Sequence, residues 1–177
     1  IHTQVRTTHS VAQAILETVK ERHIDLLLMG WKGTTSTPGR IFGDVVDTAI
    51  RQAACDVMLV KWADEIIDRS LQMPDQPSLQ TLYQLMKLNR WLVPIAGGPN
   101  SQHAITLLPA LVSLSQKPEI RLCQVFHPAD RLHDTATLRS DAEFLRKHLQ
   151  SPVVTLPVCA NSVSEAIIDM AQKDQCD

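Results

Sequence analysis

The run Leu26-Leu27-Leu28-Met29-Gly30-Trp31-Lys32-Gly33, continued through Pro38-Gly39-Arg40 to Gly43-Asp44, constrains this chain more than any other stretch. A short apolar run closed by glycine reads as a strand buried on both faces, as in a parallel sheet. Glycines beyond it let the backbone turn sharply and approach a ligand closely. The helix that follows the third glycine aims its first N–H groups at an anion. Strand, glycine loop and helix start in series outline a phosphate cradle. An ordinary βα loop uses the same residues, and three glycines alone do not separate the two readings.

The alternation of strand and helix continues on both sides. Ile1 to Thr7 alternates apolar and polar residues and predicts a short strand. Ser10 or His9 then caps a helix with Val11, Ala14, Ile15 and Val19 on one face. Lys20, Arg22 and His23 crowd its last turn, where positive charge suits the helix dipole. After strand Ile24 to Met29 and the glycine loop come a helix from Asp44 to Ala53 and a buried strand from Cys55 to Lys61. Residues 62–90 carry Asp64, Glu65, Asp68 and the pair Pro74 and Pro77, a linker composition enclosing a short helical pattern from Leu79 to Leu88. Beyond it the expected elements are strand Trp91–Ile95, helix Ser101–Ser115 kinked at Pro109, strand Ile120–Phe126, helix Thr135–Leu149, strand Val153–Val158 and helix Ser162–Lys173. Strands alternating with helices predict an α/β fold with a parallel sheet and helices on both faces.

Composition removes several function classes. Seventeen Lys and Arg stand against nineteen Asp and Glu, for a net charge of -2, and the basic residues are scattered. That is not the footprint of a nucleic-acid binder, and 4% aromatic residues offer few stacking platforms. The longest apolar stretches are too short to span a bilayer. Cys55, Cys123, Cys159 and Cys176 form no CxxC pair and have no His at zinc-ligand spacing, so reduced, mostly buried thiols in a cytosolic chain are expected. No G-x-S-x-G elbow is present, and Ser36 and Ser101 lack an obvious His partner. His103 and His127 read as surface or capping residues, Trp31 as a cover for the sheet end or a stacking partner for a ligand. The acidic cluster at Asp64, Glu65 and Asp68 reads as a solvated face.

An internal repeat organises the whole. A shift of 152 positions lays Ser10-Val11-Ala12-Gln13-Ala14-Ile15-Leu16 over Ser162-Val163-Ser164-Glu165-Ala166-Ile167-Ile168, Thr3 over Thr155 and Asp25 over Asp177. The chain thus reads as the C-terminal half of one unit (1–61), a linker (62–90) and the N-terminal half of a second (91–177), with its start falling in mid-strand as in a fragment.

Gly30-Trp31-Lys32-Gly33, nine residues, then Gly43 matches the G-x2-G-x9-G spacing of the ATP-binding universal stress proteins, and Trp91 to Ser101 is similar to that family's first strand and loop. The resemblance implies a flavodoxin-like, adenine-nucleotide-binding-like sheet of order 3-2-1-4-5, assembled here from two half-repeats, with ATP or AMP as the ligand to test. It implies that Gly30, Gly33 and Gly43 face phosphates with Lys32 and Arg40 as counter-charges, and that Gly97 and Gly98 lie near adenine or ribose. Two residues depart from the pattern: Asp44 stands where the ATP binders have Ser or Thr, and Ala96 where an Asp is frequent. A carboxylate at a helix start contributes about 1 kcal/mol to the helix as a cap. It repels a phosphate by roughly 4 kcal/mol per unit charge pair at about 4 Å and an effective dielectric near 20. Asp44 is therefore expected to cap the helix and to weaken nucleotide binding.

The runs GWKG, TPGRIFG and WLVPIAGGPN are also similar to universal-stress domains fused to the cytoplasmic ends of membrane transporters, chloride-channel-type proteins and amino-acid permeases among them. The resemblance thus implies a non-catalytic cytoplasmic regulatory module. A soluble tandem stress protein binding ATP or AMP is the alternative, and an ATPase or phosphotransferase a third. The partners expected are a transporter portion of the parent chain and a second copy. The second copy would form a homodimer through Asp56–Lys61, or a strand-exchanged assembly in which Trp91–Ile95 pairs with Ile24–Met29.

Overall fold

The computed structural model describes residues 3–35, 38–61, 88–113, 115–130 and 132–176. The chain divides into two units, Ile1–Pro74 and Asp75–Asp177. The acidic cluster at Asp64, Glu65 and Asp68, Ser36, and all but the last residue of the helical pattern from Leu79 to Leu88 lie outside the described residues.

The second unit holds β3 (Arg90–Pro94), α3 (Pro99–Val112), β4 (Glu119–Phe126), α4 (Ala136–His148), β5 (Val153–Cys159) and α5 (Val163–Lys173). Its strands form a parallel sheet in the order β3-β4-β5, with Trp91 beside Ile120 and Ile120 beside Val153. The central strand alternates its side chains between two layers. Ile120 and Leu122 point into a core with Ile105 and Leu108 of α3 and Leu138 and Leu145 of α4. Cys123 is fully buried outside that cluster, and Arg121 reaches Asp174 at the end of α5. Helices therefore cover both faces of β4, as the parallel strand pattern requires. Each fully buried Leu or Ile contributes about 1.5–3 kcal/mol of transfer free energy. The helix over 99–112 runs through Pro109, and the edge strand β5 accepts Pro157 because an edge needs fewer ladder donors. Arg121 also pairs with Glu119, and Arg90 donates to the Asp174 carbonyl, so α5 is tied to the starts of β3 and β4.

The first unit holds α1 (Val11–Arg22), β1 (Leu26–Gly30), α2 (Asp44–Gln52) and β2 (Asp56–Val60). β1 and β2 pair in parallel from Leu26 beside Asp56 to Gly30 beside Val60. The helices α1 and α2 pack on each other. The expectation that β1 is buried on both faces does not hold: Leu27 and Met29 are half-buried, whereas Leu28 is 63% exposed. A groove of about 520 Å³ lined by Val11, Ile15 and Val19 of α1 with Ile24 and Leu27 places the helical cover on the Leu27 side alone.

The α/β parallel fold expected from the sequence is present. The described strands form two parallel sheets, ordered β3-β4-β5 and β1-β2. The pairing of Trp91–Ile95 with Ile24–Met29 would join the two units.

The segments related by 152 positions match hydrogen bond for hydrogen bond. Ser10 caps α1 by accepting from Gln13 N–H, and Ser162 caps α5 by accepting from Glu165 N–H, each at 3.4 Å. At the other end His23 and Gln175 both adopt φ +50. His23 N–H donates to Lys20 and Ile24 N–H to Val19, while Gln175 N–H donates to Gln172 and Cys176 N–H to Ala171. Both helices thus close with the same left-handed double turn. One element differs. Val153–Cys159 is a strand paired with β4, but the corresponding residues 3–7 carry no strand. Val5 and its neighbours have the alternation but, among the described residues, no ladder partner, and an extended segment without a ladder is not a strand.

The four cysteines are free, but only Cys123 is fully buried; its thiol is pushed up to about 11, chiefly by burial. Cys159, at the very end of β5, is exposed, against the expectation of mostly buried thiols. Asp141 on α4 is the costly group of this unit. Its Oδ2 is buried without a hydrogen-bond partner among the described residues, and burial raises its pKa. A carboxyl with a raised native pKa binds more protons folded than unfolded, so stability falls as pH rises through that pKa. Asp141→Asn is expected to raise stability at pH 7 by about 1 kcal/mol, the low end of the cost of an unpartnered buried polar atom, and to flatten this decline. Urea unfolding between pH 4 and 8 measures both effects.

Candidate functional site

The glycine loop follows β1 directly. Trp31 N–H continues the ladder to the Val60 carbonyl at 2.8 Å, and the Trp31 ring meets Phe42 edge-on with centroids 5.1 Å apart. The indole Nε1 is buried and has no hydrogen-bond partner among the described residues. Trp31 thus covers the end of the sheet, one of the two roles the sequence allowed.

Gly33 takes φ +90 and has the Lys61 side-chain stem lying against it, where a Cβ would sit. The dihedral requires glycine here, whereas the flexible Lys61 stem would move aside for a Cβ. Lys61 therefore brings a cation from the end of β2 to the loop, a contribution invisible in the glycine spacing. Lys32 is exposed, and Gly30 closes β1.

At the far end of the loop the helix start differs from expectation. Gly43, at φ +102, is the N-cap of α2, and no side chain caps the helix. Asp44 is the first helical residue; rather than capping, its carboxylate accepts from Arg40 Nε at 2.9 Å. Geometry explains the change: the capping carboxylate must precede the helix, and Asp44 sits one position too late. Its charge nonetheless stands in the first turn, beside the positive end of the dipole.

Asp47 completes the loop. It is 6% exposed, and its Oδ2 accepts from the N–H groups of Ile41 at 3.2 Å and Phe42 at 3.4 Å. Two backbone donors that lead into the third glycine are thus taken by a carboxylate of the helix itself. Three cations (Lys32, Arg40, Lys61) face two carboxylates (Asp44, Asp47), and Arg40 is already paired. Arg40 and Asp44 also line a polar groove of about 440 Å³ with Ser10, Gln13 and Thr48. The loop's own carboxylates thus hold two of its backbone N–H groups and the Arg40 guanidinium.

Gly97 and Gly98 belong to the second unit, at φ +78 and +82, with Gly98 as the N-cap of α3. Ser101 Oγ accepts from Ala96 N–H at 3.3 Å and fastens that turn. Six of the eight predicted site residues thus lie together in the first unit. The other two form a second loop in the second unit. His103 and His127 are exposed, as expected, and His127 Nδ1 accepts from Ala129 N–H. Among the described residues no group of three or more His, Cys, Asp and Glu is placed to hold a metal, and no helix is long and apolar enough to cross a membrane.

Residues 1–61 match the sequence model of the universal stress protein family. The same length of chain is 33% identical over 61 residues to the Na(+)/H(+) antiporter NhaS5 of Synechocystis sp., covering 34% of this chain and 9% of the antiporter. A universal stress protein from Archaeoglobus fulgidus superposes with a TM-score of 0.60 at 16% identity, over 93% of this chain and 52% of that one. The latter likeness establishes the fold. The chain spans about a tenth of the antiporter and about half of the solved stress protein.

Asp47→Ala strips Ile41 and Phe42 of their acceptor and is expected to lower the stability of residues 1–61 by about 2 kcal/mol, with Asp47→Asn costing less because one amide oxygen still accepts. Thermal unfolding of the three proteins gives the order.

Proposed function

We propose that this chain is a non-catalytic, cytoplasmic regulatory or interaction module of universal stress type, attached to a membrane ion or solute transporter, in which nucleotide binding is weak or lost. The observation that carries the proposal is the buried Asp47 carboxylate accepting from Ile41 and Phe42 N–H, with Arg40 held by Asp44. A phosphate entering the loop would have to displace one carboxylate and lie beside the other, against the roughly 4 kcal/mol repulsion of a near charge pair. Among the described residues no nucleophile paired with a base stands at this loop, which supports a non-catalytic role. The likeness of 61 residues of this chain to part of a sodium/proton antiporter supports attachment to a transporter, and favours a cation exchanger over the chloride-channel and permease types.

The half-repeat division at 62–90 is part of the same reading, supported by the matched caps of α1 and α5. So is self-association, for which the exposed Leu26 and Leu28 face of β1 and the open edges of the two sheets are the motive.

A second reading, a soluble tandem stress protein binding ATP or AMP, is favoured by the uncapped start of α2 and by Lys32 and Lys61 beside it.

Calorimetry with ATP and with AMP separates the two readings. The first expects no heat of binding at millimolar nucleotide, and a measurable affinity once Asp44→Ser and Asp47→Asn are combined. Micromolar binding by the unaltered chain would establish the second. Membrane-spanning segments encoded beside this stretch in the gene are expected under the first reading alone. Sedimentation velocity at micromolar protein should show a dimer, and a strict monomer would remove the self-association.

A further inference from the structure

The second unit carries a thiol–imidazole pair far in sequence from either glycine loop. Cys159 is the last residue of β5 and is exposed, and its register partner across the ladder is Phe126, the last residue of β4. The chain leaves β4 through a tight turn in which Asp130 Oδ2 accepts from His127 N–H and Asp130 N–H donates to the His127 carbonyl. It then comes back over the sheet end and reaches α4, where Asp134 Oδ1 accepts from Ala136 N–H. On that return His133 stacks on the buried Phe126 ring, centroids 5.0 Å apart at 26°. The stacking sets the imidazole over the end of β5, with Nε2 4.0 Å from Cys159 Sγ.

We propose that Cys159 and His133 form a reactive-thiol site that takes hydroperoxides. A thiol reacts as its thiolate, and a base within hydrogen-bond reach supplies that form at the moment of attack. His133 Nε2 takes the Cys159 proton. The sulfur attacks the terminal oxygen of the peroxide, the O–O bond breaks, and a sulfenic acid forms on Cys159. The departing alkoxide or hydroxide takes the proton from His133 and leaves as alcohol or water, so sulfur is oxidised by two electrons and the peroxide reduced by two.

Three features single this thiol out. It is open to solvent, whereas Cys123 is sealed in the sheet and Cys55 and Cys176 are half-buried. Its imidazole is oriented by an aromatic ring that is itself fixed in the sheet. The nearby carboxylates Asp130 and Asp134 are turned to backbone N–H groups of their own loop, and His127 Nδ1 to Ala129 N–H, so each has an acceptor role of its own in the turn. His133 is a positioning and proton-accepting residue, Cys159 the group that reacts.

The test treats the intact chain with hydrogen peroxide and dimedone and maps the adduct by mass spectrometry, alongside alkylation by monobromobimane from pH 6 to 9. The adduct is expected at Cys159, ahead of Cys55. His133→Gln, which keeps the size of the side chain and loses the base, should slow Cys159 at pH 7 by about tenfold, and its alkylation should then climb more steeply with pH. Circular dichroism confirms that the variant folds, and added free imidazole should restore part of the rate. Equal reactivity of Cys159 and Cys55, or an unchanged rate and pH profile in His133→Gln, overturns the proposal.

Discussion

The buried carboxylate of Asp47, turned back from α2 to accept from Ile41 and Phe42 N–H, governs what the glycine loop can be. Loop donors with no acceptor are costly when sheltered from water, and an anion from outside is one way to satisfy them. Here an anion from inside does so, over a span of five to six residues along the chain. The Arg40–Asp44 pair repeats the arrangement one turn away. A loop satisfied in this manner keeps its shape without a ligand. Lys61 against Gly33 and Phe42 against Trp31 then pin the loop to the ends of β1 and β2.

The two units show how far local patterns carry a fold and where neighbours take over. Ser10 and Ser162, thirteen residues ahead of two identically closed helix ends, were readable as caps from the residue type and the apolar spacing alone. Residues 3–7 and Val153–Cys159 have comparable patterns, yet only the second becomes a strand, because β4 lies beside it. Strand formation is a property of a pair, and a single-chain pattern cannot report whether the partner is at hand. The same limit governs the exposed Leu28 of β1: four apolar residues in a row predict two covered faces, and among the described residues helices cover only one.

In the candidate site, glycine spacing marked out the loop between β1 and α2. The satisfying interactions were hidden because they run between residues without a motif. Asp47 reads along the chain as a helical surface residue, and only its burial reveals the backward reach. Lys61 belongs to a different strand and meets Gly33 through the parallel register of β1 and β2. Asp44 was visible as a departure, but its role shifted by one position, from cap to ion-pair partner. Such one-residue shifts lie within the ordinary uncertainty of a helix boundary.

A glycine loop whose backbone donors are held by its own helix suits the proposed role of a domain used for its surface. The amide resonances of Ile41, Phe42 and Gly43 report that state directly. In a ¹⁵N-labelled chain titrated with ATP to millimolar concentration, the account predicts that these three stay in place, held by Asp47. Saturable movement of the Ile41 and Phe42 amides at micromolar ATP, with the carboxylate displaced, would contradict it.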